Sequence, residues 1–69
     1  MKLSARNVLQ GKILKVTKGA TTSHVQLEVA PGFVITASIT NDAVEELGLA
    51  PGKAAAAVIK SSDVIIGVA

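Results

Sequence analysis

Two short polar clusters hold most of the donor chemistry in this chain. Ser4-Ala5-Arg6-Asn7 near the beginning offers a hydroxyl, a guanidinium fork and an amide, and Lys60-Ser61-Ser62 near the end offers an ammonium group and two hydroxyls. Each cluster borders a predicted strand, so backbone N–H groups outside the ladder lie beside these side chains. A fully ionised oxyanion needs hydrogen-bond donors and positive charge, with no carboxylate among them. Both clusters meet that requirement. Successive turn N–H groups can form an anion-binding concavity, and arginine presents its donors in a fork that suits oxyanions. Residue types alone do not bring the two clusters together, and serine-rich turns with a lysine are also common as solvated strand ends.

Other chemistries find little support. Nucleophilic catalysis needs a hydroxyl or thiol beside a base, and the single histidine, His24, falls on the polar face of a predicted strand. Of the acids, Asp42, Glu45 and Glu46 sit together on a predicted helix, and neither Glu28 nor Asp63 pairs with another carboxylate. The glycines match no phosphate-binding loop or dinucleotide fingerprint. With no cysteine and one histidine, a metal held directly by protein side chains is not expected. The chain reads as a binding protein and not as an enzyme.

The elements that must carry the clusters follow from periodicity. Residues 24–29 alternate strictly, with His24, Gln26 and Glu28 opposite Val25, Leu27 and Val29. Residues 33–40 do the same, with Phe33, Ile35, Ala37 and Ile39 opposite Val34, Thr36, Ser38 and Thr40. Both segments read as half-buried strands, and Ala30-Pro31-Gly32 between them makes the pair a hairpin. A longer first strand over 8–17 changes phase along its length, which predicts either a bulge or a strand covered on different faces, with Gly11 as the place for a bend. Lys18-Gly19-Ala20-Thr21-Thr22 forms a small-residue loop after it.

Residues 41–47 are the helical candidate. Asp42 with Glu45 resembles a capping box, and Thr40 or Asn41 serves equally well as the cap. Gly48 is placed to end the helix, and Pro51-Gly52 turns the chain. Residues 53–59 and 64–68 are the last two predicted strands, both apolar on both faces, joined by Lys60-Ser61-Ser62-Asp63. Antiparallel sheets can leave one face wet, so two dry faces require cover from a neighbouring subunit. The expected fold class is all-β: a five-stranded OB-like Greek-key barrel with one short helix between strands 3 and 4. Residues 1–69 are expected to form a single domain.

Composition agrees with assembly. A 69-residue domain has a thin stability margin and usually gains a disulfide, a metal or partner subunits. Without cysteine, association is the remaining route. Apolar residues are 49% of the chain with one aromatic, Phe33, more aliphatic surface than one small core needs. The net charge of +2 suits an anionic ligand without requiring one. Nucleic acid is not expected as a ligand: there is no clustered basic run and no Tyr or Trp for stacking. No apolar run approaches the roughly 18 residues of a membrane span, and no secretory signal is visible, so a cytoplasmic location is expected.

The residues also carry a resemblance. Ser4-Ala5-Arg6-Asn7, Gly11-Lys12, Lys18-Gly19, Val44-Glu45-Glu46-Leu47-Gly48-Leu49, Pro51-Gly52 and Val58-Ile59-Lys60-Ser61 together look like molbindin, the small molybdate-binding family built from the Mop (TOBE-type) domain. The likeness runs through the whole chain. It implies a homo-hexamer, a trimer of dimers, that binds molybdate or tungstate at subunit interfaces for intracellular storage. It also implies the alternative of an oxyanion-sensing module from a regulator or transporter ATPase. Carried over, Ser4, Ala5, Arg6, Lys60 and Ser61 would form the main oxyanion pocket. Gly19, Ala20, Thr21 and Thr22 would come from the neighbouring subunit. The four consecutive alanines 54–57 are plainer than the family pattern and bear on packing.

Overall fold

A computed structural model describes residues 2–69. In chain order it contains β1 (Asn7–Lys18), β2 (Thr22–Ala30), β3 (Phe33–Thr40), α1 (Asn41–Leu47) and β4 (Ala54–Ile59). A single 3-10 turn, Ser61–Asp63, follows β4. The four strands form one curled antiparallel sheet in the order β3-β2-β1-β4. Three strands joined in succession, with the fourth returning beside the first, make a Greek key. The fold is all-β with one short helix between β3 and β4, as expected, but it has four strands and not five. Residues 64–68, the expected last strand, have no ladder partner. Ile65 is 92% exposed, Ile66 83% and Val68 95%. Their apolar alternation needs an edge to pair with, and after the 3-10 turn these residues join no strand of their own sheet.

The alternation that predicted β2 decides its burial. Ser23, Val25 and Leu27 point inward and are buried, while His24 faces out. With Ile13 of β1, Val25 and Leu27 form the centre of the core, and Val16, Val29, Ile39, Val44 and Leu49 pack around it. The hairpin turn between β2 and β3 places Pro31 first and Gly32, at φ 78°, second, the pairing that a type II turn requires.

β1 is irregular, though not at Gly11. The register shifts between Ile13 and Lys15, so Leu14 is the bulged residue. The extra residue lets Ile13 point into the core while Lys15 and Lys18 stay exposed. Gly11 has a different duty. A Cβ there would overlap the Glu28 carbonyl oxygen and come within 3.1 Å of the Val29 Cα, so the glycine permits β1 to cross β2 closely.

α1 starts at Thr40, whose side chain accepts a hydrogen bond from the Ala43 N–H at 3.1 Å. Of the three candidate caps, Thr40 is therefore the one used, and Asp42 sits in the first turn beside the positive end of the helix dipole. Gly48, at φ 61°, closes the other end in the left-handed conformation. Lys53 reaches back from the start of β4 and donates from Nζ to the Leu47 carbonyl and, at 3.3 Å, to that of Gly48. The helix thus closes one end of the sheet and is bound at both termini.

β3 and β4 do not pair with each other, so the curled sheet leaves an apolar channel of about 730 Å³ between them. Ile35, Ala37 and Ile39 line it from β3, and Ala55, Ala57 and Ile59 from β4. Among the described residues only Ile13, Val25 and Leu27 count as buried apolar side chains. So small a core, in so aliphatic a chain, leaves much apolar surface that only another molecule can remove from water.

Candidate oxyanion site

The pairing of β1 with β4 decides where the two polar clusters go. In that ladder Asn7 lies opposite Ile59 and Val8 opposite Val58. Residues just before Asn7 therefore lie beside residues just after Ile59. Ser4, Ala5, Arg6, Lys60, Ser61 and Ser62 surround one shallow recess of about 260 Å³. All five residues expected in the main pocket line it. Ser62, part of the second polar cluster but not among those five, lines it too. Its signal was available: in a tight turn, adjacent residues cover neighbouring parts of one surface.

Each side of the recess has a local cause. Asn7 donates from Nδ2 to the Ile59 carbonyl at 3.3 Å, so its amide braces the end of the ladder rather than facing a ligand. On the other strand, Lys60 is extended and leads into the 3-10 turn. The turn is closed by Asp63 N–H donating to the Lys60 carbonyl at 2.9 Å and Val64 N–H to the Ser61 carbonyl at 3.3 Å. Lys60 offers no side-chain cap to the first N–H groups of that turn, which leaves those donors for another partner.

The lining is a donor set. Ser4, Ser61 and Ser62 bring hydroxyls, Arg6 a planar fork of N–H groups, and Lys60 an ammonium group. No carboxylate is among the lining residues. An ion with two negative charges would meet two cations and three hydroxyls here, and nothing that repels it. Ala5 is half-buried, whereas the other lining residues are exposed. In one chain the recess is an open half-shell, so charge–charge attraction in it is weakened by water and salt. A second wall would strengthen every contact by excluding water.

The remaining expected site residues lie elsewhere. Gly19, Ala20, Thr21 and Thr22 are at the opposite end of β1, next to α1. Gly19 N–H donates to the Thr22 carbonyl at 2.8 Å, and a Cβ on Gly19 would stand 2.7 Å from that oxygen, so the loop is tight. Asn41 pins it: its backbone N–H donates to the Thr21 carbonyl at 2.9 Å, and its Nδ2 donates to those of Gly19 and Ala20 at 3.0 and 3.3 Å. Within a single chain this loop does not reach the recess. Among the described residues no group of three His, Cys, Asp or Glu side chains is placed to hold a metal ion. No helix is long and apolar enough to cross a membrane.

Comparison with known proteins gives the same outline. Residues 3–66 match the family model of the TOBE domain. Molybdenum-pterin-binding protein 1 of Clostridium pasteurianum is 52% identical over 66 residues, spanning 96% of this chain and 97% of that protein. The molybdenum transport protein ModE of Azotobacter vinelandii is 43% identical over 68 residues, which cover 99% of this chain but 25% of ModE. Among solved structures, the cytoplasmic molybdate-binding protein ModG, crystallised with molybdate bound, superposes with a TM-score of 0.96 at 48% identity. That match covers all of this chain and 49% of ModG.

Proposed function

The chain belongs to the TOBE domain family, in the company of the Mop molybdenum-pterin-binding proteins, and from that membership we propose that it binds molybdate and tungstate reversibly in the recess between β1 and β4. The observation that carries this reading is the convergence of Ser4, Ala5, Arg6, Lys60 and Ser61 on one surface without a carboxylate among them. Arg6 would hold two oxygens of the anion through its fork, and the serine hydroxyls would donate to the others. Lys60 adds charge. Molybdate and tungstate match in charge and nearly in size, so such a recess hardly separates them. Sulfate is smaller, and a rigid ring of donors would pair with it poorly. No bond is made or broken, and the protein acts as a store and not as an enzyme.

In this reading residues 1–69 act as one cytoplasmic domain that assembles as a homo-hexamer, a trimer of dimers. The open side of each recess is then closed by a neighbouring subunit, whose Gly19, Ala20, Thr21 and Thr22 supply further donors. Two features support this: the recess is open in one chain, and the loop is built firmly but far from it. Neither nucleic acid nor membrane takes part.

A second reading is kept because ModE contains a stretch like this chain within a longer protein. There the domain would sense the anion and change assembly in response. Native mass spectrometry with and without molybdate separates the two. A store keeps its subunit count and gains mass in whole molybdate steps. A sensor changes its subunit count. A spectrum with no added molybdate at micromolar anion would remove both.

A further inference from the structure

Asn41 does more than begin α1. Its backbone N–H donates to the Thr21 carbonyl at 2.9 Å, and its Nδ2 donates to the carbonyls of Gly19 and Ala20 at 3.0 and 3.3 Å. Successive carbonyls of one loop are thus drawn toward a single residue of another element. The peptide bonds of the described residues are all trans. In a trans peptide the N–H points opposite to the C=O. Pulling the Gly19 and Ala20 carbonyls toward Asn41 therefore turns the N–H groups of Ala20 and Thr21 to the outer side of the loop. Neither of these N–H groups has a hydrogen-bond partner among the described residues, and both residues are exposed. The loop shows two neighbouring donors and turns its acceptors inward.

The Asn41 amide is held in the orientation that does this. Ser23, buried in β2, donates its hydroxyl hydrogen to Asn41 Oδ1 at 2.6 Å. Turning the amide over would set Oδ1 against the two loop carbonyls, acceptor against acceptor. The Ser23 hydroxyl is sealed from water, so no solvent hydrogen bond replaces the one it makes. A buried hydroxyl thus fixes the amide, and the amide fixes the peptides of the loop.

We propose that Asn41 is a positioning residue for the oxyanion site: it presents the Ala20 and Thr21 N–H groups to an anion lying in the recess of a neighbouring copy. The inference rests on the anion binding and the assembly proposed above, and it specifies which atoms of the loop act and what aims them. Gly19 and Ala20 carry no side-chain donor, so the backbone is what that half of the loop offers an anion. The recess contributes Arg6 and Lys60 on long side chains, which lose rotamer freedom when they close on a ligand. Backbone donors already held by Asn41 lose little, and each can meet a different oxygen of one tetrahedral anion. Without the Asn41 side chain the two peptides can rotate. A carbonyl turned outward would then set its partial negative charge against a doubly charged ligand.

Three measurements test this. In ¹⁵N-labelled wild-type protein, the amide resonances of Ala20 and Thr21 should move when molybdate is added, a readout that needs no variant. Equilibrium dialysis then compares wild type, Asn41→Ala and Gly11→Ala at a temperature where all are folded. Gly11 lies outside both recess and loop, and its substitution controls for lowered stability. Asn41→Ala is expected to weaken molybdate binding on the order of tenfold, the scale of hydrogen bonds to a charged partner, while Gly11→Ala binds as wild type does. Finally, Arg6→Ala chains, with an impaired recess and an intact loop, are co-expressed with Asn41→Ala chains, which are the converse. Loop and recess come from different copies, so the mixed assembly should regain a class of tight sites that neither variant has alone. Unmoved Ala20 and Thr21 resonances, wild-type affinity in Asn41→Ala, an equal loss in Gly11→Ala, or no tight class in the mixture would each overturn the role of Asn41 while wild type still assembles and binds. Wild type that takes up no molybdate would overturn the anion reading and this inference with it, and a wild-type monomer would overturn the assembly and this inference.

Discussion

Ser23, 1% exposed near the start of β2, donates its hydroxyl hydrogen to Asn41 Oδ1 at 2.6 Å, at the first residue of α1. The same Asn41 side chain donates to the Gly19 and Ala20 carbonyls. One amide thus satisfies a buried hydroxyl, holds the β1–β2 loop and anchors the helix. Asn41→Ala leaves the Ser23 hydroxyl buried without its acceptor. The expected cost is about 2 kcal/mol, the usual penalty for stranding a buried polar group. Urea denaturation followed by circular dichroism measures it. Asn41→Asp keeps the acceptor for Ser23 but sets a carboxylate against two carbonyls, so it is expected to recover little.

Gly11→Ala tests the close crossing of β1 over β2. The added methyl meets the backbone of Glu28 and Val29, which cannot swing aside as a long side chain could. A loss of about 1–3 kcal/mol is expected, as for other overpacked positions. Denaturation at the wild-type midpoint would count against the close approach.

Arg6→Ala is expected to weaken molybdate binding about 10–100-fold, the loss of charge-assisted donors from the recess. The subunit count, whatever its wild-type value, and the thermal unfolding of the anion-free protein should stay as they were, because Arg6 is exposed. Equilibrium dialysis reads the affinity. Arg6→Lys should recover only part of it, since an ammonium group keeps the charge and loses the fork. Full recovery would mean that charge alone matters there.

Lys53→Met keeps the aliphatic stem and removes the ammonium group that donates to the last carbonyls of α1. A cation at a helix C-terminus contributes about 0.3–1 kcal/mol at an exposed position. The variant should lose that much stability, and amide exchange should quicken in α1 before it does in β2. Uniform quickening across the sheet would argue against a local cap.

The sequence carried the local parts of this structure well, for identifiable reasons. β3 begins and ends where its alternation does, and α1 spans 41–47 as its polar start and Gly48 require. Such elements are written in neighbouring residues. The bulge was misplaced because a glycine suggested it, whereas the register shift at Leu14 comes from the need to bury Ile13 against β2. Residues 64–68 carry a strand pattern, but a strand also needs an edge to bond with, and that is a property of other residues. The polar recess between β1 and β4 lay between these cases. Its residue types could be read directly, and the family likeness joined the two halves. Their meeting depends on the β1–β4 register, which no local pattern contains.

That register has a thermodynamic consequence. Asn7 and Ile59, paired at the end of the ladder beside the recess, are 52 positions apart along the polypeptide. In a denatured chain the two donor groups wander independently, and an anion finds no cage. Any occupant therefore adds its full binding free energy to the native side of the equilibrium, about 2.7 kcal/mol at a hundred times the dissociation constant. Melting temperature becomes a gauge of cargo, and a chain that cannot close its ends cannot carry any.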